Sequence, residues 1–181
     1  MLFKGIGVRE DRRAAFDWFM KAASQKNSKA LNYIGLYYYK GSFGISRDHE
    51  KAREFFKKSA QLGEVDGMIS YAQLCQEKAR TTDVQQAKAL QKSSFDWYKR
   101  AAAHQHPTAL RELGRMYGTG IGTERKDQLS FEYLKLAADK QDPLATLLIG
   151  GYYENGHGGL SKDIHVALNY YLKAIQLGQP T

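Results

Sequence analysis

The sequence has one cysteine, Cys75, and three prolines in 181 residues. A single thiol excludes an internal disulfide and any pair of cysteines at metal or redox spacing. It favours a reducing compartment such as a cytoplasm. With 17 glycines, the chain is also too poor in Pro and Gly for a low-complexity segment. No run approaches the roughly 18 apolar residues of a membrane span, so no membrane insertion is expected within these residues. The opening MLFKGIGVREDRRAAF lacks the apolar stretch of a signal peptide. What is present is 43% hydrophobic, 25% charged and 12% aromatic. That composition excludes a disordered tail and suits one globular domain or one short repeat array.

Acidic residues are scarcer than basic ones, 19 against 27, for a net charge of +8. Residues 1–63 carry 13 Lys/Arg and 6 Asp/Glu, a balance of +7, whereas residues 142–181 carry 2 and 3. A basic third can favour nucleic acid or an anionic surface. Here the basic residues alternate with acids along helical patterns, and no nucleic-acid motif accompanies them.

The chain repeats itself. ALNYIGLYYYKG from Ala30, ALRELGRMYGTGIG from Ala109 and ATLLIGGYYENGHGG from Ala145 share one pattern, and GMISYAQLC from Gly67 is a weaker copy. The successive starts are 37, 42 and 36 residues apart, the period of a helix-pair solenoid. A second block, with Asp, Ala, two aromatics and Lys at fixed offsets, recurs as DRRAAFDWFMKAA, DHEKAREFFKKSA and DIHVALNYYLKAI, with partial copies from Ser94 and Ser130. Its last Ala stands seven residues before the next repeat: Ala23 to Ala30, Ala60 to Gly67, Ala102 to Ala109, Ala138 to Ala145. A constant interval implies one repeated connection.

Both blocks have helical period, as in Ala109, Leu113, Met116 and Tyr117, or Ala52, Phe55, Phe56 and Ser59. Helices are predicted over 9–24, 28–40, 48–62, 65–79, 82–104, 107–118, 126–140, 143–154 and 163–177. Gly35, Gly114 and Gly150 fall inside them at one register, which predicts close approach of a partner helix backbone. Asp48 and Asp163 stand where an N-cap is wanted.

The combined pattern, A-x-x-x-L-G-x-x-Y-x-x-G-x-G-V-x-x-D-x-x-K-A-x-x-W-Y-x-K-A-A, resembles the Sel-one-like repeat, a relative of the tetratricopeptide repeat. The resemblance covers nearly the whole chain. It implies an all-α, right-handed α-solenoid of about nine helices. The divisions are 1–27, the second half of a truncated repeat, then 28–63, 64–106, 107–141 and 142–181. Repeat 64–106 departs from the pattern, with Cys75 in place of the Tyr and EKARTTDVQQAKALQKSS in place of the Gly loop, so longer helices are expected there. Lys126 replaces the Asp of the third complete copy. The start in mid-repeat, and the lack of a polar capping helix after Gln176, lead us to expect a longer array.

The resemblance also implies an adaptor that binds another protein, with no catalytic residues. By analogy with tetratricopeptide arrays, the concave groove receives Asn32 and Leu36, Ile69 and Gln73, Arg111 and Arg115, Leu147 and Gly151, with Tyr39, Gln76 and Glu154 one turn further. Arg111 and Arg115 could clamp a carboxylate of an extended or helical, acidic partner segment, or pair with Glu112 or a neighbouring repeat. Tyr38, Tyr117 and Tyr153, with Trp18, Phe55, Trp97, Tyr133 and Tyr170, are expected in the core. Tyr33 and Tyr37, four apart, could share one exposed face or pack between neighbouring repeats.

Chemical motifs are weak by comparison. GTGIG at Gly118, Gly120 and Gly122 follows a helix rather than a strand and has no GK[ST], so it reads as a turn. His104 and His106 flank one residue but have no Cys, Asp or Glu cluster beside them, and Cys75 reads as a buried thiol. No cofactor and no metal is expected. Three functions are weighed: a protein-interaction scaffold, a binder of nucleic acid or anionic surface through the basic third, and an enzyme using the groove, of which the first has the most support.

Overall fold

The computed structural model describes residues 12–41 and 44–178. Among them are nine helices and no strand: α1 (Arg12–Ser24), α2 (Ser28–Lys40), α3 (His49–Gln61), α4 (Val65–Ala79), α5 (Val84–Ala103), α6 (Pro107–Thr119), α7 (Asp127–Asp139), α8 (Pro143–Asn155) and α9 (Ile164–Gly178). Each boundary inside the described residues falls within two residues of the sequence expectation. Residues 9–11, and with them the expected mid-repeat start, lie outside the described residues. As expected of the divergent repeat, α4 and α5 are longer, 15 and 20 residues against 13 for α2, α3 and α6.

The chain divides into two compact units, Met1–Leu74 and Cys75–Thr181. In the first, α2 packs on both α1 and α3; in the second, α5 to α9 pack in sequence order. Contacts therefore run between sequence neighbours, as in repeat proteins.

The interval from the last Ala of one second helix to the next repeat is one connection used four times. Lys26, Gly63, Gln105 and Gln141 all take φ between 59° and 87°, a left-handed step that closes the preceding helix. Their amides donate to Ala23, Ala60, Ala102 and Ala138, at 2.8–3.0 Å. The next residue then starts a first helix. Asn27 and Asp142 cap α2 and α8 by accepting from the amides of Ala30 and Ala145, both at 2.9 Å.

Outside the divergent repeat 64–106, the turn inside the repeat is as regular. Gly41, Gly120 and Gly156 close α2, α6 and α8 with φ of 63°, 74° and 69°. The amides of Asp48, Lys126 and Asp163 donate to the carbonyls of Tyr38, Tyr117 and Tyr153 at 2.8–2.9 Å. Asp48 and Asp163 cap the following helices as expected, through Lys51 N and Val166 N. Lys126 provides no side-chain cap for α7.

Aromatic stacking joins the two helices of a repeat. Tyr38 on Phe55, Tyr117 on Tyr133 and Tyr153 on Tyr170 lie 5.6–5.7 Å apart and within 13° of parallel. Each such pair contributes about 1 kcal/mol beyond its buried area. A second ring joins consecutive repeats: Phe16 meets Tyr37 at 5.2 Å, Phe95 meets Tyr117 at 5.3 Å and Phe131 meets Tyr153 at 6.0 Å.

Two expectations are corrected and one open alternative is decided. Trp18 is not core. It is 60% exposed with Lys21 Nζ above its ring, because no described helix supplies the stacking ring that Phe55, Tyr133 and Tyr170 receive. Of the two readings of Tyr33 and Tyr37, packing between neighbouring repeats is the one found. Tyr37 is buried, and Tyr33 stacks on Phe19 at 4.7 Å. The helix glycines meet side chains more than backbone. A Cβ on Gly35 would lie 2.5 Å from Phe56, and one on Gly150 would collide with the Tyr171 ring. Only Gly114 also faces a backbone atom, the Ser130 carbonyl at 3.1 Å, beside the Leu134 side chain at 2.9 Å. The partner helix approaches as expected, but its aromatic or leucine fills the gap.

Candidate functional site

The residues assigned to the groove divide between the two units. In the first, Asn32 is buried, with no hydrogen-bond partner at its Oδ1, and Ile69 is buried. Leu36 and Tyr39 are half-buried, Tyr39 stacking on His49 at 5.1 Å, and Gln73 is exposed. In the second, Gln76, Arg111 and Arg115 come together, while Leu147 and Glu154 are exposed on α8. Glu154 accepts a 2.7 Å hydrogen bond from the Tyr171 hydroxyl. That bond, with some desolvation, raises the Tyr171 pKa. Gly151 lies near the same hydroxyl.

The assembled part is a row of hydrogen-bonded charges. Arg111 Nη1 donates to Asp142 Oδ2 at 2.7 Å and its Nε to Glu112 Oε1 at 3.3 Å. Arg115 donates to Glu112 Oε2 at 3.0 Å and to Gln76 Oε1 at 3.1 Å. Gln76 in turn approaches Met116 Sδ at 3.5 Å. Helix spacing explains part of the row: Glu112 and Arg115 are three apart on α6 and share a face. The rest depends on the repeat. Arg111 reaches forward to Asp142, which caps α8 with its other oxygen.

Of the two readings open for the arginines, pairing within the chain is therefore the one found. The Asp142 side chain is only 6% exposed and Arg111 16%, whereas Arg115 keeps 35%. Two guanidiniums face two carboxylates, so the row is charge-balanced and is no bare cationic clamp. Sequence reasoning missed Asp142, although an Asp before Pro143 at a first-helix start was the visible signal. Beneath the row Tyr98 is fully buried, its hydroxyl without a hydrogen-bond partner. Burial, assisted by the Glu112 charge, pushes the Tyr98 pKa far up, so the phenol stays neutral at any ordinary pH.

The candidate chemical motifs take structural places. Gly120 ends α6, and a Cβ on Gly122 would strike the Gln91 carbonyl of α5. GTGIG is thus a turn seated on the preceding helix. Cys75 is buried. His104 follows the end of α5, and His106 precedes Pro107 at the start of α6. No group of three His, Cys, Asp or Glu suited to a metal occurs among the described residues. No helix among them is long and apolar enough to cross a membrane.

Helix pairs repeated at one register, joined by identical connections, define an all-α repeat protein of the solenoid class. The Sel1 repeat family model matches residues 1–27, 28–64, 85–106, 107–142 and 143–179, and the chain belongs to this family. The one long gap, 65–84, is the stretch where Cys75 and the missing Gly loop depart from the pattern. Among solved structures, a Sel1 repeat protein from Oxalobacter formigenes superposes with a TM-score of 0.86 at 29% identity, covering 98% of this chain and 67% of that one. The protective antigen c5321 of uropathogenic Escherichia coli shares the fold, with a TM-score of 0.81 at 24% identity, over 98% of this chain and 36% of that one. A curated relative, chitin synthase regulatory factor 1 of Schizosaccharomyces pombe, is 25% identical over 121 residues, 67% of this chain and 26% of its own length. The chain thus spans about a quarter of that relative. Sel1 repeat proteins generally mediate protein–protein interactions, as a family of scaffolds.

Proposed function

We propose that this chain is a binding module that holds a segment of a partner protein against its first helices. The observation that supports this most is the row Gln76–Arg115–Glu112–Arg111–Asp142. Arg111, Glu112 and Arg115 sit off the apolar stripe of α6, and with Gln76 of α4 and the α8 cap Asp142 they are already ordered by one another and offer donors and acceptors together. A peptide backbone, which carries both, matches such a row better than a purely acidic segment does. Preorganisation lowers the ordering cost of binding.

Arg115 is the residue to test, because Arg111 holds a buried carboxylate and its loss would confuse binding with folding. Partners captured by the chain and identified by mass spectrometry should be lost with Arg115→Ala, with at least about a tenfold drop in affinity. Arg53→Ala, on α3 and paired with Glu50 at 2.9 Å, is the control and should change little. Normal binding by Arg115→Ala, or loss with Arg53→Ala, would place the binding surface elsewhere. The second reading, nucleic acid or an anionic surface bound through the basic residues of 1–63, predicts instead a steep loss of binding with salt. Two of those cations, Lys51 and Arg53, are already paired with Asp48 and Glu50.

A further inference from the structure

Tyr98 stands out beneath the charge row. Its side chain is fully buried, and its hydroxyl has no hydrogen-bond partner. A buried hydroxyl left unpaired destabilises a fold, and a phenylalanine of nearly the same shape would avoid that cost. Packing alone therefore does not account for the hydroxyl.

The repeat register shows what such a hydroxyl meets elsewhere in the chain. Tyr98 of α5 stands three residues before Ala101, as Tyr171 of α9 stands three before Ala174. The Tyr171 hydroxyl donates to Glu154 at 2.7 Å. Glu154 is the ninth residue after Ala145, and the ninth after Gly67, at the same register of α4, is Gln76. The other two repeats obey the same rule. Their second helices hold Phe56 and Leu134 at the tyrosine position, and their first helices hold Tyr39 and Gly118 at the Glu154 position. A hydroxyl thus occurs on the second helix where the first helix carries a carboxylate or a carboxamide.

Gln76 is turned elsewhere. Its Oε1 accepts from Arg115 Nη2 at 3.1 Å, and its Nε2 lies 3.5 Å from Met116 Sδ. A thioether is a weak acceptor, so the Arg115 bond is what holds the carboxamide away from Tyr98. Arg115 is also the more exposed arginine of the row, with a 35% exposed side chain against 16% for Arg111. It is the guanidinium that a partner reaches first.

We propose that Gln76 has two positions, one on Arg115 and one on Tyr98. In the chain alone it accepts from Arg115. When a main-chain carbonyl of a partner segment takes Arg115, the Gln76 carboxamide turns and accepts from the Tyr98 hydroxyl. One hydrogen bond replaces another, which lowers the cost of releasing Arg115 and biases the exchange toward the bound state. Tyr98 is then a positioning residue that acts through Gln76 and touches no partner. The partner's part rests on the groove reading, whereas the exchange is built into the chain and is measurable without one.

A double-mutant cycle of melting points in the purified chain tests it. Tyr98→Phe in the parent should leave the melting point unchanged or raise it. Arg115→Ala frees Gln76, and in that background Tyr98→Phe should lower the melting point by about 2–4 °C. Adding Gln76→Leu to Arg115→Ala should remove that sensitivity. A crystal structure of Arg115→Ala should bring Gln76 Oε1 within hydrogen-bond distance of the Tyr98 hydroxyl. An equal loss in both backgrounds would mean that the hydroxyl is already paired, and no loss in either that Gln76 does not turn; each overturns the proposal. The protein captured by the parent chain should bind Tyr98→Phe about fivefold more weakly, and equal binding would overturn the link to the groove. Coupling together with normal capture by Arg115→Ala would uphold the exchange and refute the groove reading. No coupling together with lost capture would uphold the groove and refute the exchange.

Discussion

At the scale of single residues, two sites carry more than their chemistry advertises. Arg111 has the composition of a surface cation and the role of a buried one. Removing its side chain would strand Asp142, at 6% side-chain exposure, with a charge and one fewer donor. Breaking such a pair costs about 3 kcal/mol or more, and Arg111→Ala should lower the melting point by several degrees. Arg115→Ala, at a more exposed site, should cost under about 1 kcal/mol. Equal effects in thermal melts would contradict the division of labour in the row. The second site is the left-handed step between repeats. Gly63 has φ 87° and open space around its missing Cβ, so Gly63→Ala measures backbone strain alone, about 1 kcal/mol destabilising. Gln141, at φ 62°, should give the opposite sign when changed to Gly. A melting point that rises for the first or falls for the second would refute this reading. The step itself was only half legible in sequence. The seven-residue interval announced a shared connection, yet Lys26, Gln105 and Gln141 gave no glycine to mark the residue that bends.

At the scale of the helix, the caps explain why α3 and α9 start where they do and why α7 starts with less support. Asp48 accepts the Lys51 amide, and that hydrogen bond, outweighing some desolvation, holds its carboxyl below the usual aspartate range. A depressed folded pKa means that its contribution is complete above the unfolded value and fades as pH falls through the folded one. Lys126 occupies the same position before α7 with no capping bond. Lys126→Asp should therefore stabilise the chain by about 1 kcal/mol near neutral pH. The gain should vanish in acid, as the new carboxyl protonates. Chemical denaturation at neutral pH and near pH 3 checks both halves; a gain independent of pH would have some source other than a charged cap. Asp48, Asp163 and the helix boundaries were readable from sequence because capping is local. Trp18 was misread because the same aromatic register is buried only where another helix supplies a ring, as Tyr38 does for Phe55. Nothing within α1 encodes that.

At the scale of the molecule, neighbour-only packing sets how disturbance spreads. In the second unit each helix from α5 to α9 packs on the next, and the Arg115–Gln76 and Arg111–Asp142 hydrogen bonds reach only from one repeat to the adjacent one. Stability in such arrays is close to a sum of repeat terms and nearest-neighbour terms. The repeat period was visible in the chain because each unit restates the same contacts, whereas Arg111–Asp142 was not, because it joins two repeats at positions the pattern leaves variable. A local lesion should therefore stay local. Leu113 is fully buried in α6, and Leu113→Ala should cost about 2–5 kcal/mol. Native-state amide exchange should then accelerate at least about tenfold in α6 and α7, which enclose the cavity, through openings confined to part of the chain. Exchange in α2 and α3, held by Tyr38 on Phe55 and by Phe56 against Gly35, should remain near its parent rate. Uniform acceleration through all helices would instead mean that the chain opens as a single cooperative body, and the nearest-neighbour account would fail.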